Sequence, residues 1–439
     1  MKPHLIIKLR NTITNVYPHW QEILLDNSPT SERDFILPIN EIFQHFQLPY
    51  RTTQEYNKHG QIWSTEEIQA GLNKIYRLIL LNNIQIPSLL ITKLEQLPDV
   101  ESVTVGGICK SQLPTHTPQS FSIFTRDWAR QAIFLSQAHL FTKGSPEIKI
   151  AVLDTGVDIE HDELKDSLIQ GFDFVDIIDG ANTFIGDYLG ADSSPIDEVG
   201  HGTHVSGIIA GKGINMPIGI APRCKILPVR VLASMEVNGH KIGAGLLDNI
   251  NNGIKWAVDQ GVAVINMSLG VRNEGGGLPH EEVIKYALSK NVSIVAASGN
   301  DGTSELYYPG ALPGVLAIGA TDKTGQAADF STYGRHLTLS APGVDIFSCF
   351  TGKSYAISSG TSHAAPFVSG SIALLRAFAL THGYNMTNNQ ILHILKMTSD
   401  KSENKMRSDH TGYGQVNPSD ALRYLNHKIK NYHQDDYHY

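Results

Sequence analysis

The chain has 439 residues, of which 41% are hydrophobic and 18% charged. This is the balance of an ordinary globular protein, and the length suits two or more units of roughly 100–200 residues. A formal net charge of −8 offers no basic stripe to neutralise phosphates, which argues against a nucleic-acid partner. The cysteines are Cys109, Cys224 and Cys349; odd in number and without CxxC spacing, they argue against a disulfide framework or a structural zinc site.

In chain order, the N-terminus reads MKPHLIIKLRNTITN. Its apolar stretch Leu5-Ile6-Ile7 is too short for a signal-peptide core, and no small-residue cleavage site follows. No segment reaches the roughly 20 apolar residues that span a bilayer. The expectation is a cytoplasmic protein with no membrane partner, secretion being the alternative. Residues 1–108 then alternate strand-like and helix-like runs: Leu5 to Leu9 a strand, Ile39 to Phe46 a helix, Ile75 to Leu81 a strand, Ser88 to Leu97 a helix, and Glu101 to Val105 a strand. This β-α-β-α-β order suggests a small α+β unit of the ferredoxin-like, split βαβ kind. Residues 109–127, with SQLPTHTPQSFS at 111–122, read as a linker or processing segment.

Over residues 128–425 the texture changes. Apolar runs at Ile148 to Leu153, Val262 to Met267, Val292 to Ala297 and Val315 to Ala320 alternate with helical spacing at Gly245 to Val258 and Glu281 to Leu288. Such alternation predicts an α/β domain whose mostly parallel central sheet is covered by helices on both faces. The polar residues 426–439 read as a solvated tail; metal binding by its histidines is the less favoured reading.

Three segments carry chemistry. Ile150-Ala151-Val152-Leu153-Asp154-Thr155-Gly156 ends a buried strand in a carboxylate and a turn, which places Asp154 at the sheet edge where such folds bind ligands. A carboxylate capping the next element would look the same. Gly200-His201-Gly202-Thr203-His204 leads into an apolar run and sets His201 at a helix start. Two histidines three apart could chelate, but zinc-protease helices space theirs by four around a glutamate; His204 reads as structural and buried. Gly360-Thr361-Ser362-His363 opens another helix, where a serine gains from free N–H groups and the helix dipole. Alone it would read as a Ser/Thr cap. Together the segments suit nucleophilic catalysis: Ser362 attacks, His201 takes its proton, and Asp154 orients the imidazole. The chain order Asp, His, Ser is one of the known solutions for this triad.

Residues 128 to about 425 resemble the subtilisin-like serine protease family in all three signatures: VLDTG, GHGTHVSG and GTSHAAPFVSG. The resemblance implies a three-layer subtilisin-like fold and endopeptidase activity on polypeptides, with no cofactor required for the chemistry. It further implies that Asn300, in Ala297-Ser298-Gly299-Asn300, is an oxyanion-hole donor. Gly243, Ala244 and Gly245 would pair with substrate backbone. Ser268, Leu269 and Gly270, with Ala297, Ser298 and Gly299, would wall the pocket for the P1 residue, which precedes the scissile bond. Two departures stand out. His363 follows the nucleophile where the family usually has methionine, an oxidation-prone neighbour. Tyr307 falls where many relatives have a small pocket floor, implying a shallower pocket that prefers smaller P1 side chains; the alternative is that Asp301 near the rim favours basic residues. Glu163 sits at the family's acidic calcium position, yet the loop Lys212 to Gly219 is short and poor in side-chain oxygens; a structural calcium there is only weakly supported.

The N-terminal unit resembles the family's propeptide domain, chiefly at Leu97-Pro98-Asp99-Val100-Glu101-Ser102-Val103. This implies an intramolecular chaperone and inhibitor, released by cleavage between Val105 and Trp128; a permanent accessory domain is the alternative. Three roles compete: a general endopeptidase made as an autoinhibited precursor, a maturation protease of narrow specificity, and a catalytically dead binding module. Intact triad and oxyanion positions disfavour the last.

Overall fold

A computed structural model describes residues 3–24, 35–111, 116–118, 127–177, 184–237, 239–273, 278–401 and 405–435. The N-terminal part runs β1 (His4–Leu9), α1 (Trp20–Leu24), α2 (Leu37–His45), β2 (Tyr50–Gln54), α3 (Thr65–Ala70), β3 (Ile75–Leu80), α4 (Ser88–Glu95) and β4 (Val100–Val105). Its four strands form an antiparallel sheet in the order β2-β3-β1-β4. Alternation in β1 sends Leu5, Ile7 and Leu9 into a core with Phe43, Leu90 and Leu94 of the covering helices, while Ile6 faces the other way. The sequence reading lacks α1, β2 and α3. Strand β2 is Tyr-Arg-Thr-Thr-Gln, whose buried Thr52 and Thr53 give no apolar alternation. Helix α3 is short but capped at both ends, by a Ser64–Glu67 capping box and by Gly71 at φ +81°.

Strands β5 (Ile108–Ser111) and β6 (His116–Pro118) follow, then α5 (Trp128–Ala132), α6 (Leu135–Ala138), β7 (Lys149–Asp154), β8 (Phe172–Asp173), β9 (Phe184–Ile185), α7 (His201–Ala210), β10 (Lys225–Arg230), β11 (Ala233–Val237) and β12 (His240–Leu246). The remainder is α8 (Leu247–Asp259), β13 (Val264–Met267), α9 (Glu281–Ser289), β14 (Ser293–Ala297), β15 (Leu316–Thr321), β16 (Leu337–Pro342), β17 (Ile346–Phe350), β18 (Ser354–Ser358), α10 (Thr361–Thr381), α11 (Asn388–Thr398) and α12 (Pro418–Asp435). Seven parallel strands form the central sheet, in the order β16-β15-β14-β13-β7-β10-β8. In β7, Ile150 and Val152 enter the core under α7 and α10, whereas Ala151 and Leu153 enter the core under α8 and α9. A strand apolar on both sides in this way builds a three-layer α/β domain. Against the expectation that no segment is long and apolar enough to cross a membrane, α10 is so among the described residues, and it lies buried in this core.

The N-terminal sheet docks on α8 and α9 through its free face. Tyr56, Ala70, Leu72 and Ile75 join the core of that layer. Between them runs a buried polar seam. Arg77 donates to both carboxylate oxygens of Glu55 at 2.8 and 2.9 Å, Asn252 Nδ2 donates to Glu55 at 2.8 Å, and His4 Nε2 lies 2.5 Å from the Asp248 carboxylate. Lys255 pairs with Glu67 at 2.8 Å and Lys8 with Glu282 at 2.9 Å. Burial alone would lift the Asp248 carboxyl, but the His4 ring and the Arg77 guanidinium hold it below the ordinary carboxylate range.

Two expectations from sequence need correction. Residues 109–127 are not merely a linker: β5 adds to the sheet β5-β12-β11-β9 and β6 to the sheet β17-β18-β6, because a polar stretch can still supply backbone to an open edge. Residues 112–115 and 119–126 lie outside the described residues. Nor are residues 426–435 a solvated tail, since α12 continues to Asp435 and buries Ile429; residues 436–439 lie outside the described residues.

Candidate active site

Strand β7 delivers Asp154 to the C-terminal edge of the sheet. Gly156, at φ +103°, then turns the chain. Helix α7 begins at His201 beside this turn. A Cβ on Gly202 would fall 2.1 Å from the Gly156 carbonyl oxygen, so glycine is what lets the helix approach. Fully buried, Asp154 Oδ1 lies 2.7 Å from His201 Nδ1 and accepts the Thr155 N–H at 2.8 Å.

Asp197, which the sequence reading missed, holds the start of α7. Its carboxylate accepts from the N–H groups of Val199, Gly200 and Thr203 and from the hydroxyls of Thr155 and Thr203, at 2.7–2.9 Å. Burial pushes its carboxyl up, and these donors oppose the shift. Its sequence signal was an acidic residue four before a helix-opening histidine.

Ser362 is the second residue of α10 and is buried. Its carbonyl accepts the Ser268 hydroxyl at 2.6 Å; Asn266 Nδ2 donates to Ser268 at 2.9 Å, and Ser369 donates to Asn266 Oδ1 at 2.8 Å. This chain of bonds ties the wall Ser268-Leu269-Gly270 to the nucleophile helix, and Asn266 is a second residue the sequence reading did not single out. Opposite, Ala297 ends β14, and Ser298 is fixed through its hydroxyl to the Thr332 carbonyl at 3.1 Å. Asn300 Oδ1 accepts both the N–H and the hydroxyl of Thr361 at 2.8 and 2.9 Å. With that oxygen committed, the side chain offers its NH2 to a ligand.

Between the two walls stands Tyr307. A Cβ on Gly270 would lie 3.1 Å from its Cβ, and one on Gly299 would lie 2.6 Å from its ring. The hydroxyl accepts from Arg272 Nε at 3.1 Å and donates to Asp301. Behind the nucleophile, the ring of His363 lies 5.3 Å from His201 and 4.5 Å from His204 between centroids. His204 Nε2 lies within 3.1 and 3.2 Å of the carbonyls of Ile346 and Ala356, a structural placement.

Gly243, Ala244 and Gly245 lie on β12 and are already paired. Strand β5 runs antiparallel to them, with Ser111 opposite Gly243, Lys110 opposite Ala244 and Cys109 opposite Gly245.

The calcium implied at Glu163 does not fit this loop. Glu163 accepts the N–H groups of Gly213, Ile214 and Asn215 at 2.6–3.1 Å, and the Tyr355 hydroxyl at 3.4 Å. The shortened loop turns donors to the carboxylate, where a cation requires carbonyl oxygens. Among the described residues no cluster of three or more His, Cys, Asp or Glu side chains could hold a metal.

The sequence profile of the subtilase family matches residues 145–414. The chain belongs to the subtilase family. It is 39% identical over 285 residues to the thermophilic serine proteinase of Bacillus sp. (strain AK1), a match covering 64% of this chain and 63% of that protein. To the major intracellular serine protease of Bacillus subtilis (strain 168) it is 40% identical, covering 53% and 69% of the two chains. To thermitase of Thermoactinomyces vulgaris it is 34% identical, covering 70% and 100%. Among solved structures, the prenylagaramide maturation protease PagA aligns with a TM-score of 0.53 and 30% identity, over 66% of this chain and 98% of that one. A subtilase fold and a serine protease family are thus common ground with these relatives.

Proposed function

We propose that this subtilase is a serine endopeptidase whose triad is Asp154, His201 and Ser362, made as a precursor inhibited by its own N-terminal part. The Ser362 hydroxyl attacks the scissile carbonyl and passes its proton to His201 Nε2. The Asp154 carboxylate, at 2.7 Å from Nδ1, stabilises the imidazolium. The oxyanion is held by the Asn300 NH2 and the Ser362 N–H; removing one such donor costs about 10²–10³ in kcat, a magnitude known from a subtilisin itself. The C–N bond then breaks as His201 returns the proton to the leaving amine. Water, deprotonated by the same imidazole, hydrolyses the ester. Every step runs through side chains and backbone, with no cofactor.

The observation that carries the precursor reading is the pairing of β5 with Gly243–Leu246. It adds a strand where a substrate's backbone would add one. The N-terminal sheet, anchored on α8 and α9, would hold that strand in place until cleavage. The intracellular relative supports a cytoplasmic setting. Intact mass over time tests the proposal. Wild type should shorten to a form beginning between Val105 and Trp128, take a fluorophosphonate probe on Ser362 and then digest casein, whereas Ser362→Ala should remain whole. A wild type that neither shortens nor labels would refute it.

A narrow maturation role is favoured by one feature, the Tyr307 ring between the pocket walls. Labelled enzyme that leaves casein intact would support that role over broad digestion.

A further inference from the structure

We infer that the groove between α11 and α12 binds a single-chain anionic amphiphile, a fatty carboxylate. The site is separate from the protease machinery and does not depend on the protease reading.

A cavity of about 400 Å³ opens between the two helices, within the roughly 300–1,000 Å³ of small-molecule sites. Its floor is apolar: Met386, from the loop before α11, with Ile394, Leu425 and Ile429, all buried. Each helical floor residue directly follows a residue of the mouth. His393 precedes Ile394, Tyr424 precedes Leu425, and Lys428 precedes Ile429. Neighbours in a helix point about 100° apart, so one of each pair faces the floor while the other stands at the rim. Two facing helices repeat this step, and the result is a trough with a hydrocarbon bottom and a polar edge.

The charge on that edge has one sign. Lys428 Nζ lies 5.6 Å from the centroid of the Tyr424 ring, and the His393 ring lies 6.4 Å from the same ring. Among the described residues no carboxylate lines the cavity. Asp420, at the start of α12, accepts from Arg423 at 3.0 Å, and Asp400, beyond α11, accepts from Asn417 at 3.1 Å. Gln390, on the wall, is bonded to the Tyr384 hydroxyl at 2.6 Å and to the Thr387 N–H at 2.8 Å.

These features select the occupant. A floor of Ile, Leu and Met gains when hydrocarbon replaces water on it. An ammonium at the mouth favours a carboxylate, because a bond between two charged groups is about twice as strong as a neutral one. A cationic head would meet Lys428, and an uncharged one would forgo that bond. A lipid with two long chains would overfill the cavity. A fatty carboxylate lays its chain on Ile394, Leu425 and Ile429 and sets its head between Lys428 and the His393 ring.

Calorimetric titration of the full chain carrying Ser362→Ala, which removes self-digestion, tests this with dodecanoate below its micelle concentration. Binding should saturate at one site. Decanoate should bind roughly tenfold more weakly, as expected for two fewer buried CH2 groups. Dodecyltrimethylammonium should not saturate. Lys428→Glu should weaken dodecanoate about tenfold or more, and His393→Glu should weaken it as well. Arg423→Glu, an equal charge change on α12 outside the groove, should leave it unchanged. Lack of saturation, equal binding of the cationic amphiphile, or affinity that Lys428→Glu leaves unmoved or lowers no more than Arg423→Glu does would overturn the inference.

Discussion

Arg272 and Tyr307 are joined twice, by an Nε–H to hydroxyl bond of 3.1 Å and by the guanidinium lying 5.5 Å from the ring centroid. Asp301 completes the set, accepting from Arg272 at 2.5 Å and from the Tyr307 hydroxyl. An aromatic ring is thus pinned between Gly270 and Gly299, although Arg272 itself is largely exposed. Burial, and then the Asp301 carboxylate, raise the Tyr307 phenol above its usual range, so its proton stays in the bond.

Tyr307→Gly should therefore open the pocket. The ratio of kcat/KM for peptides with Phe against Ala before the scissile bond should rise at least tenfold, in line with the 1–3 kcal/mol that pocket fit is typically worth. Arg272→Ala, which frees the ring without removing it, should move the same ratio part of the way. An unchanged ratio in both variants would show that the ring does not face the substrate.

His363 puts an imidazole where the sulfur of a methionine would stand beside the nucleophile. Wild type should keep its activity in dilute peroxide, whereas His363→Met should lose it as the thioether oxidises. Equal peroxide inactivation of the two forms would count against this.

What could be read in the sequence follows from how locally it was written. Asp154, His201, Ser362 and Asn300 each sit in a short run that ends a strand or opens a helix, and their neighbourhoods were legible for that reason. Leu5, Ile7 and Leu9 betrayed β1 by alternation. Asp197 and Asn266 were not singled out because what each joins shows only in the fold: Asp197 ties the start of α7 to Thr155, and Asn266 ties Ser268 to Ser369. Strands β5 and β6 were silent for a different reason. A polar segment placed on an existing edge gains its hydrogen bonds from the partner strand, and its own pattern need show nothing. Glu163 was legible as a position but not as an environment, because the direction of backbone N–H groups in a loop is a tertiary property.

Glu163 in fact predicts that this loop does not depend on a metal. A carboxylate bonded to the N–H groups of Gly213, Ile214 and Asn215 already does what a cation would do for this loop, which is to fix its backbone. A chelator should leave the melting temperature within about one degree, given that a loss of 1 kcal/mol shifts Tm by about 2–4 °C in a domain of this size. Glu163→Gln loses charge-assisted bonds worth roughly 1.5–3 kcal/mol each before compensation, and its amide NH2 meets N–H donors. It should melt several degrees lower, with or without chelator. A large chelator effect on wild type would overturn this account.

Two buried histidines set the acid side of stability. Burial, assisted by the nearby Arg77 charge, lowers the His19 imidazole to about 4, and burial lowers His280 to about 3. Both are therefore neutral in the fold near pH 7. His19 Nε2 lies 3.0 Å from the Glu55 carbonyl in the N-terminal sheet, and His280 Nδ1 lies 2.6 Å from Asn251 Oδ1 at the junction of α8 and α9. The unfolded chain takes up a proton at each near pH 6.5, while the folded chain refuses it until pH is much lower. Their contribution to stability is thus full above about pH 6.5 and is lost progressively as pH falls to about 4 for His19 and about 3 for His280, at about 1.4 kcal/mol per pH unit for each. Melting temperatures of Ser362→Ala, which removes self-digestion, should fall between pH 7 and pH 4.5. Adding His19→Gln and His280→Gln should flatten that slope even where the substitutions lower Tm at pH 7. An undiminished slope would refute the assignment to these two histidines; the Asp248 carboxylate, held low by His4 and Arg77, gives up its contribution only at pH below the ordinary carboxylate range.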